Sequence, residues 1–300
     1  MRDQNHETYA SNEAAGRPAG SCPPGDGGPA VPRRAHGPVV PIGDAFGNAV
    51  RRAWRRGGAP GAAHEVIERD DGLLTVHDSG RYFTGPAEWN AVERLAVEEA
   101  RGRVLDVGCG PGRHAVHMRA RHLPVLGVEP SAGAAAVARE RGVEVLEARL
   151  DELPPDLGRF DTVLLGGQNL GLLGNREQAP QLLALLADLT TADGVLLGVG
   201  IDPERLKSPE HARYADANRA AGRLPGQQRF RVRDGAVATD WFDYLLASPT
   251  ELEQLAVGTG WTLAEVTEDG PHYLARLERR GRPDPRPTRG GAPAPARPES

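Results

Sequence analysis

From residue 104 onward, short apolar runs alternate with stretches in which apolar residues recur every three or four positions. Short apolar runs are typical of buried strands, and the second pattern is typical of helices packed on one face. The predicted strands are 104–107, 125–128, 143–146, 160–165 and 194–201, and the helices between them are 113–122, 131–141 and 178–189. Strands that alternate with helices in this way predict right-handed crossovers and a parallel sheet covered on both faces.

The flanking regions have different patterns. Before the alternating region the sequence predicts a short helix capped by Asp44, a small hairpin over 66–76 and a helix over 86–100 with Pro86 in its first turn. After it come a hairpin of 230–233 with 237–244 around Asp234-Gly235, a helix capped by Ser248, and a strand pair at 261–266 and 273–277. The predicted fold is therefore α/β: a Rossmann-like, doubly wound, seven-stranded sheet, mostly parallel with an antiparallel last strand. It carries an N-terminal helix and hairpin extension, and an inserted β-hairpin after the fifth strand.

Glycine and proline, 38 and 26 residues respectively, are concentrated towards the two ends of the chain. Residues 1–40 and 281–300 show no apolar period and are rich in breakers, so both are predicted to be disordered tails. The 41–280 region is long enough for one domain, with a cap extension at 41–85 and an inserted segment at 202–246.

Charge and cysteine content exclude several classes. The net charge is −5, and because 281–300 is basic, the central region is more acidic than the whole. An acidic surface disfavours nonspecific nucleic-acid binding. There is no apolar run of membrane-spanning length and no signal-peptide core, and only two cysteines occur. Together these features predict a cytoplasmic protein with no membrane or nucleic-acid partner.

The loop after the first predicted strand is rich in glycine. Gly108, Gly110 and Gly112 allow the backbone to approach a ligand closely, and the helix that follows offers free N–H groups. Glu129 ends the second strand, where a carboxylate can accept hydrogen bonds from both hydroxyls of a ribose. The alternative, a tight turn without a ligand, leaves these glycines and the acid unexplained. His114 and His117 share a helix face, but no third ligand has suitable spacing, so we predict no metal site.

Four sequence runs resemble the motifs of class I S-adenosylmethionine-dependent methyltransferases. They are V-L-D-V-G-C-G-P-G at 104–112, G-V-E-P-S at 127–131, R-F-D-T-V-L-L at 159–165 and T-A-D-G-V-L-L at 191–197. The resemblance covers roughly 86–280 and implies S-adenosyl-L-methionine as the cofactor. The residues that it implies for cofactor binding are Asp106, Gly108, Cys109, Gly110, Gly112, Glu129, Pro130, Leu150 and Asp151.

The same resemblance implies where the methyl acceptor binds. The loop after the fourth strand would face the transferred methyl group, so Gln168 and Asn169 are candidates for both catalysis and acceptor binding, and His272 is a candidate base. The other candidates for acceptor binding are Tyr82, Phe83, His211, Trp241 and Tyr244. An Asn/Asp-Pro-Pro-Tyr/Phe motif, typical of enzymes that methylate amino groups of nucleic acids and proteins, is missing from this loop.

The predicted function is therefore methyl transfer from S-adenosylmethionine to an oxygen or nitrogen atom of a small molecule, such as a secondary metabolite. Two alternatives stay open. One is the same chemistry on RNA or protein, and the other is a methyltransferase-fold module that binds the cofactor without catalysis. A catalytic base is optional, because an amine acceptor needs only its neutral form whereas an oxygen acceptor must lose a proton.

Overall fold

The computed structural model describes residues 40–279, so the two predicted tails lie outside the described residues, apart from Val40. In chain order the helices and strands are α1 (Ala45–Arg55), β1 (His64–Arg69), β2 (Leu74–Asp78), α2 (Ala91–Glu99), β3 (Val104–Val107), α3 (Arg113–Ala120), β4 (Val125–Val128), α4 (Ala132–Glu140), β5 (Glu144–Leu146), β6 (Phe160–Leu165), α5 (Ala179–Asp188), β7 (Thr190–Ile201), α6 (Pro209–Ala220), β8 (Gln227–Asp234), β9 (Val237–Ala238), β10 (Phe242–Leu245), α7 (Pro249–Ala256), β11 (Trp261–Asp269) and β12 (His272–Arg279).

The larger sheet has seven strands in the order β11-β12-β7-β6-β3-β4-β5. Its pairs from β7 through β5 are parallel, and β12 runs antiparallel to both of its neighbours. The predicted Rossmann-like sheet with an antiparallel last strand is therefore confirmed. One apolar layer contains side chains of α5 and α7, and the other contains those of α2 and α3. Because both faces are covered, the ends of the strands remain as the place for a ligand.

The two predicted hairpins belong to one second sheet. Strands β10, β8, β1 and β2 pair in that order, all antiparallel, and β9 pairs with β8. Ile67 of β1 lies opposite Val232 of β8. The N-terminal extension and the inserted segment, which the sequence presents separately, thus form a single antiparallel layer.

Two predicted boundaries are wrong for local reasons. Pro86 lies in a separate short 3₁₀ turn, and α2 begins only at Ala91, because Asn90 accepts a hydrogen bond from Glu93 N at 2.8 Å and acts as the cap. The predicted strand 237–244 is interrupted, because the hydroxyl of Thr239 accepts the Val232 amide at 2.9 Å and replaces a backbone partner.

Helix α1 is fixed to α4 by its cap residue. Asp44 accepts hydrogen bonds from Gly47 N within α1, and from Ser131 Oγ and Gly133 N at the start of α4. A carboxylate between two helix N-termini accepts hydrogen bonds from free N–H groups. Its negative charge also interacts favourably with the positive ends of both helix dipoles. No helix in the described residues is long and apolar enough to cross a membrane.

Replacing Gly112 by Ala is expected to destabilise the fold through packing. Gly112 has φ +83°, and an added Cβ would lie 2.9 Å from Val143 Cγ2. Gly222 has φ +72° and open space around it, so Gly222→Ala isolates the backbone cost, about 1 kcal/mol. Overpacking at Gly112 adds about 1–3 kcal/mol. Thermal unfolding should show a lower Tm for Gly112→Ala by several degrees beyond Gly222→Ala, and equal Tm values would contradict the packing account.

Candidate functional site

One large cavity, of about 2420 Å³, lies between the carboxyl ends of the central parallel strands and the second sheet. Alternate residues of the second sheet face it. Those of β1 are Glu65, Ile67 and Arg69, and those of β8 and β10 are Gln228, Phe230, Val232, Phe242 and Tyr244. The site is therefore built from two sheets, with the strand ends as its floor and an antiparallel layer as its roof.

The glycine loop after β3 contributes part of the floor. Gly108 and Gly110 have φ values of +68° and +54° and line the cavity. A Cβ on Gly110 would meet nothing closer than Phe46 Cζ at 4.0 Å, so the backbone here borders open space. Gly112 precedes α3, lies against Val143 and is not part of the cavity lining, so its contact with the cofactor stays a prediction.

Glu129 at the end of β4 is 5% exposed and holds the loop in place. Its carboxylate accepts hydrogen bonds from Gly110 N and Ser131 N, both at 2.9 Å. Burial raises the pKa of Glu129 to about 7. The hydrogen bonds from the two amides act in the opposite direction and lower it. A buried carboxylate at this position can accept further hydrogen bonds, so it suits the two hydroxyls of a sugar.

Asp106 in β3 is fully buried and does not line the cavity. Neither carboxylate oxygen has a hydrogen-bond partner of normal geometry. Burial raises its pKa to about 6, and the nearby charge of His114 and the amide of Ala115 lower it. The side chain thus lies beneath the first turn of α3, and its contact with the cofactor stays a prediction.

The remaining predicted cofactor residues surround the same part of the cavity. Cys109, Pro130, Leu150 and Asp151 all line it. Cys109 is buried, and burial raises the pKa of its thiol well above the usual value, which disfavours the reactive thiolate form. Its sulfur packs so closely on Gly127 that a Cβ there would lie 2.5 Å away.

The loop after β6 has a strained backbone beside the glycine loop. Gln168 has φ +76°, which is uncommon for a residue other than glycine. Its carbonyl oxygen accepts a hydrogen bond from the Tyr244 hydroxyl at 2.7 Å, and its side chain lies 3.4 Å from His272 Nε2. Strained conformations of this kind collect at functional sites, where surrounding contacts maintain them. The structure therefore brings Gln168, Tyr244 and His272 together at the cavity.

Asn169 connects the two loops. Its amide nitrogen donates to the carbonyl oxygens of Val107 and Gly108, at 2.9 and 2.8 Å. Both side-chain N–H groups are thus used within the protein, although the residue also lines the cavity. Its contact with an acceptor stays a prediction.

An ionic cluster that sequence reasoning missed lies beside this loop. Glu93 Oε1 lies 2.6 Å from both Arg113 Nη1 and His114 Nε2. Burial alone would raise the pKa of Glu93, but the hydrogen bond from His114 and the charges of both partners lower it below its usual value. A Cβ on Gly166 would lie 2.8 Å from His114 Nδ1, so the absence of a side chain at Gly166 leaves room for the imidazole ring. His114, which the sequence places on a helix face with His117, is 6% exposed and hydrogen-bonded to Glu93.

Of the two aromatic residues predicted to bind the acceptor from the N-terminal extension, Tyr82 lines the cavity and Phe83 does not. Tyr82 lines the cavity, donates its hydroxyl to Glu65 Oε1 at 2.7 Å and meets Phe46 edge-on. Phe83 does not line the cavity, because its ring stacks on Trp54 with centroids 5.6 Å apart. The contact of Phe83 with an acceptor stays a prediction that its position in the structure does not favour.

The inserted segment supplies the other predicted acceptor residues. Trp241, Tyr244 and His211 all line the cavity, although Arg231 covers the Trp241 ring at 4.7 Å. Phe230 lies 5.6 Å from Tyr244 and 6.4 Å from Phe242 between ring centroids. In residues 40–279 no group of three His, Cys, Asp or Glu side chains is placed to hold a metal ion.

Comparisons with known proteins agree with this geometry. Residues 104–194 match a family model described as a methyltransferase domain. Residues 104–194 therefore form a methyltransferase domain, and the predicted resemblance to class I S-adenosylmethionine-dependent methyltransferases is confirmed. No curated protein sequence matches it.

Solved structures share the fold of this methyltransferase domain. An S-adenosylmethionine-dependent methyltransferase from Bacteroides fragilis, in complex with S-adenosyl-L-homocysteine, matches with a TM-score of 0.66 at 23% identity, over 79% of this chain and 94% of that chain. The CcbJ methyltransferase from Streptomyces caelestis matches with a TM-score of 0.48 at 16% identity, over 66% and 97%.

The residues of the methyltransferase domain fit the cofactor. Gly110 borders open space, Glu129 is a buried acceptor, and the first turn of α3 offers backbone N–H groups towards the cavity end of β3. We propose that Glu129 binds the ribose hydroxyls and that Gly108 and Gly110 line the methionine part. When bound, S-adenosylmethionine supplies an electrophilic methyl group on a sulfonium.

Cofactor affinity is expected to rise with pH through Glu129. Its folded-state pKa of about 7 lies above the ordinary value, so folding favours the protonated form, and ionisation lowers stability as pH rises towards 7. Ribose hydroxyls donate best to the ionised form. Affinity for S-adenosylhomocysteine, measured by calorimetry, should therefore increase about tenfold from pH 6 to pH 8.

The matched control is Glu147→Gln, which alters an exposed carboxylate paired with Arg139 and should keep this pH dependence. Glu129→Gln should bind more weakly and show little change with pH. A pH slope retained in Glu129→Gln would assign the effect to another group.

Proposed function

We propose that the methyltransferase domain transfers the methyl group to an oxygen or nitrogen atom of a small molecule. The observation that best supports this proposal is the antiparallel second sheet, which forms the roof of the cavity. An antiparallel sheet lies across the floor, and its inner face presents Ile67, Phe230, Val232 and Phe242 to the cavity. A concave, partly apolar space with a few polar groups suits a small acceptor.

The role of the protein in this reaction is mainly to position the acceptor. Methyl transfer is an in-line displacement, so holding the nucleophile in line and keeping water out supplies much of the rate, about 7–11 kcal/mol at best. Gln168 of the loop after β6 lies 3.4 Å from His272 at the start of β12, and both side chains line the cavity. His272 is the candidate that would accept a proton from an oxygen acceptor.

The first test is direct. Protein cleared of bound ligand is titrated with S-adenosylhomocysteine and then incubated with labelled S-adenosylmethionine and separate pools of phenols, amines, RNA and protein. We expect binding and label transfer to a small molecule. Label in RNA or protein alone would favour the macromolecular alternative, and binding without transfer to any pool would favour the non-catalytic one.

The control for this test is Gly110→Ala. A Cβ at this position enters open space, so the folded protein accommodates it apart from the backbone cost of a positive φ. The methyl group would occupy space proposed for the cofactor. We expect affinity for S-adenosylhomocysteine to fall at least tenfold with a Tm close to that of Gly222→Ala; unchanged affinity would contradict the assigned cofactor position.

Tyr244→Phe should lower turnover without changing cofactor binding. The variant removes the hydrogen bond to the strained Gln168 carbonyl, worth about 1 kcal/mol, so kcat should fall about fivefold. Tyr273→Phe is the matched control, because Tyr273 donates to the Ala247 carbonyl at the same 2.7 Å but lies outside the cavity lining. Equal kcat losses in both variants would attribute the effect to stability alone.

A further inference from the structure

Arg69 at the end of β1 is a buried cation on the cavity wall. It is 2% exposed and lies on the inner face of the roof, opposite Phe230. Arginine is rarely buried to this degree unless its charge and its N–H groups are used. What surrounds Arg69 therefore bears on what the cavity binds.

Three contacts hold one side of the guanidinium. Nε and Nη2 donate to the carboxylate of Asp71 at 2.8 and 2.7 Å, and Nη2 also reaches the carbonyl oxygen of Glu210 at 3.2 Å. Tyr214 stacks under the group, with Cζ 4.1 Å from the ring centroid. The side chain is thus fixed in orientation before any ligand arrives.

The other side of the guanidinium lacks a partner. Nη1 is buried and has no hydrogen-bond acceptor. An unsatisfied buried N–H of a charged group costs more free energy than that of a neutral group, so its presence needs an explanation. An oxygen atom of a bound molecule would satisfy it, and an anionic oxygen would do so best.

The charge of Arg69 is only partly neutralised towards the cavity. The side chain of Asp71 is 40% exposed, so water also solvates that carboxylate. On the inner face of the roof, the neighbours of Arg69 are the apolar residues Ile67 and Phe230. In such surroundings an anion is attracted more strongly than in water.

We propose that this end of the cavity binds a carboxylate of the methyl acceptor, with Arg69 Nη1 as donor and the Phe230–Phe242 pair as the surface for an aromatic body. The proposal rests on the proposed function, since it names the class of acceptor. Arg69 of β1 lies opposite Phe230 of β8, which lies opposite Phe242 of β10, so Arg69 and Phe242 lie about 10 Å apart across the sheet, with Tyr244 two residues further along β10. The acceptor is therefore an aromatic carboxylic acid with its methylated atom at the end opposite to the carboxylate.

The test measures binding rather than turnover. Protein saturated with S-adenosylhomocysteine is titrated by calorimetry with 3-phenylpropanoate and with 3-phenylpropanamide, which share their shape and differ in charge. We expect the wild-type protein to bind the carboxylate at least tenfold more tightly than the amide. Equal affinities, or no binding of either probe at millimolar concentration, would overturn the proposal.

Variants assign the preference to Arg69. Arg69→Gln should bring the affinity ratio close to one. The matched control is Arg276→Gln, which removes an arginine of β12 that is paired with Glu99 and lies outside the cavity lining; it should retain the wild-type ratio. A ratio that survives in Arg69→Gln would overturn the assignment.

A second variant covers the case in which Arg69→Gln does not fold. Asp71→Asn keeps the guanidinium but removes its counter-charge, and should tighten 3-phenylpropanoate severalfold without affecting the amide; weaker or unchanged carboxylate binding would count against the proposal. Failure of methyl transfer to every acceptor alongside a carboxylate preference would refute the proposed function and leave the subsite intact. Transfer to neutral acceptors without that preference would refute the subsite alone.

Discussion

The closed site depends on the pairing of β1 with β8. This ladder joins the N-terminal hairpin to the inserted segment, and Glu68 reinforces it by pairing with both Arg231 and Arg233. Without it, neither hairpin would have enough neighbours to form a stable layer, since an isolated two-stranded hairpin is marginal in water. The cavity, its aromatic wall and the buried Arg69 all follow from this one set of backbone hydrogen bonds.

Two carboxylates, that of Glu129 and that of Asp44, organise the floor in a related way. Glu129 joins the glycine loop to the start of α4, and Asp44 joins the start of α1 to the same helix. In each case a short acidic side chain accepts N–H groups that a helix start or a positive-φ loop leaves without partners. The cofactor region is therefore held in shape by the protein's own hydrogen bonds, and a ligand adds donors to a site that already exists.

The sequence predicts the parts of this molecule that local chemistry determines. The alternation of strands and helices, the glycine loop, Glu129 and the Ser248 capping box are all short-range patterns, and the structure contains each of them. The cluster of Glu93 with Arg113 and His114 could not be predicted in this way, because α2 and α3 are separate helices and nothing local relates the acid to its partners. Arg69 is similar: in sequence it is one arginine among many, and only strand pairing places it on the cavity wall.

The long separation between β1 and β8 also constrains how the protein is made. Glu68 and its partner Arg231 are 163 residues apart, so the N-terminal hairpin leaves the ribosome well before the strand that completes its sheet. When two strands are this far apart in sequence, their pairing loses loop-closure entropy before any contact compensates for it. Such pairings therefore form slowly. Strands β3 to β7 can already assemble while the edge of β1 that pairs with β8 is still unpaired. The strands of the cofactor floor, β3 to β7, are therefore synthesised before the strand that completes the roof of the acceptor chamber.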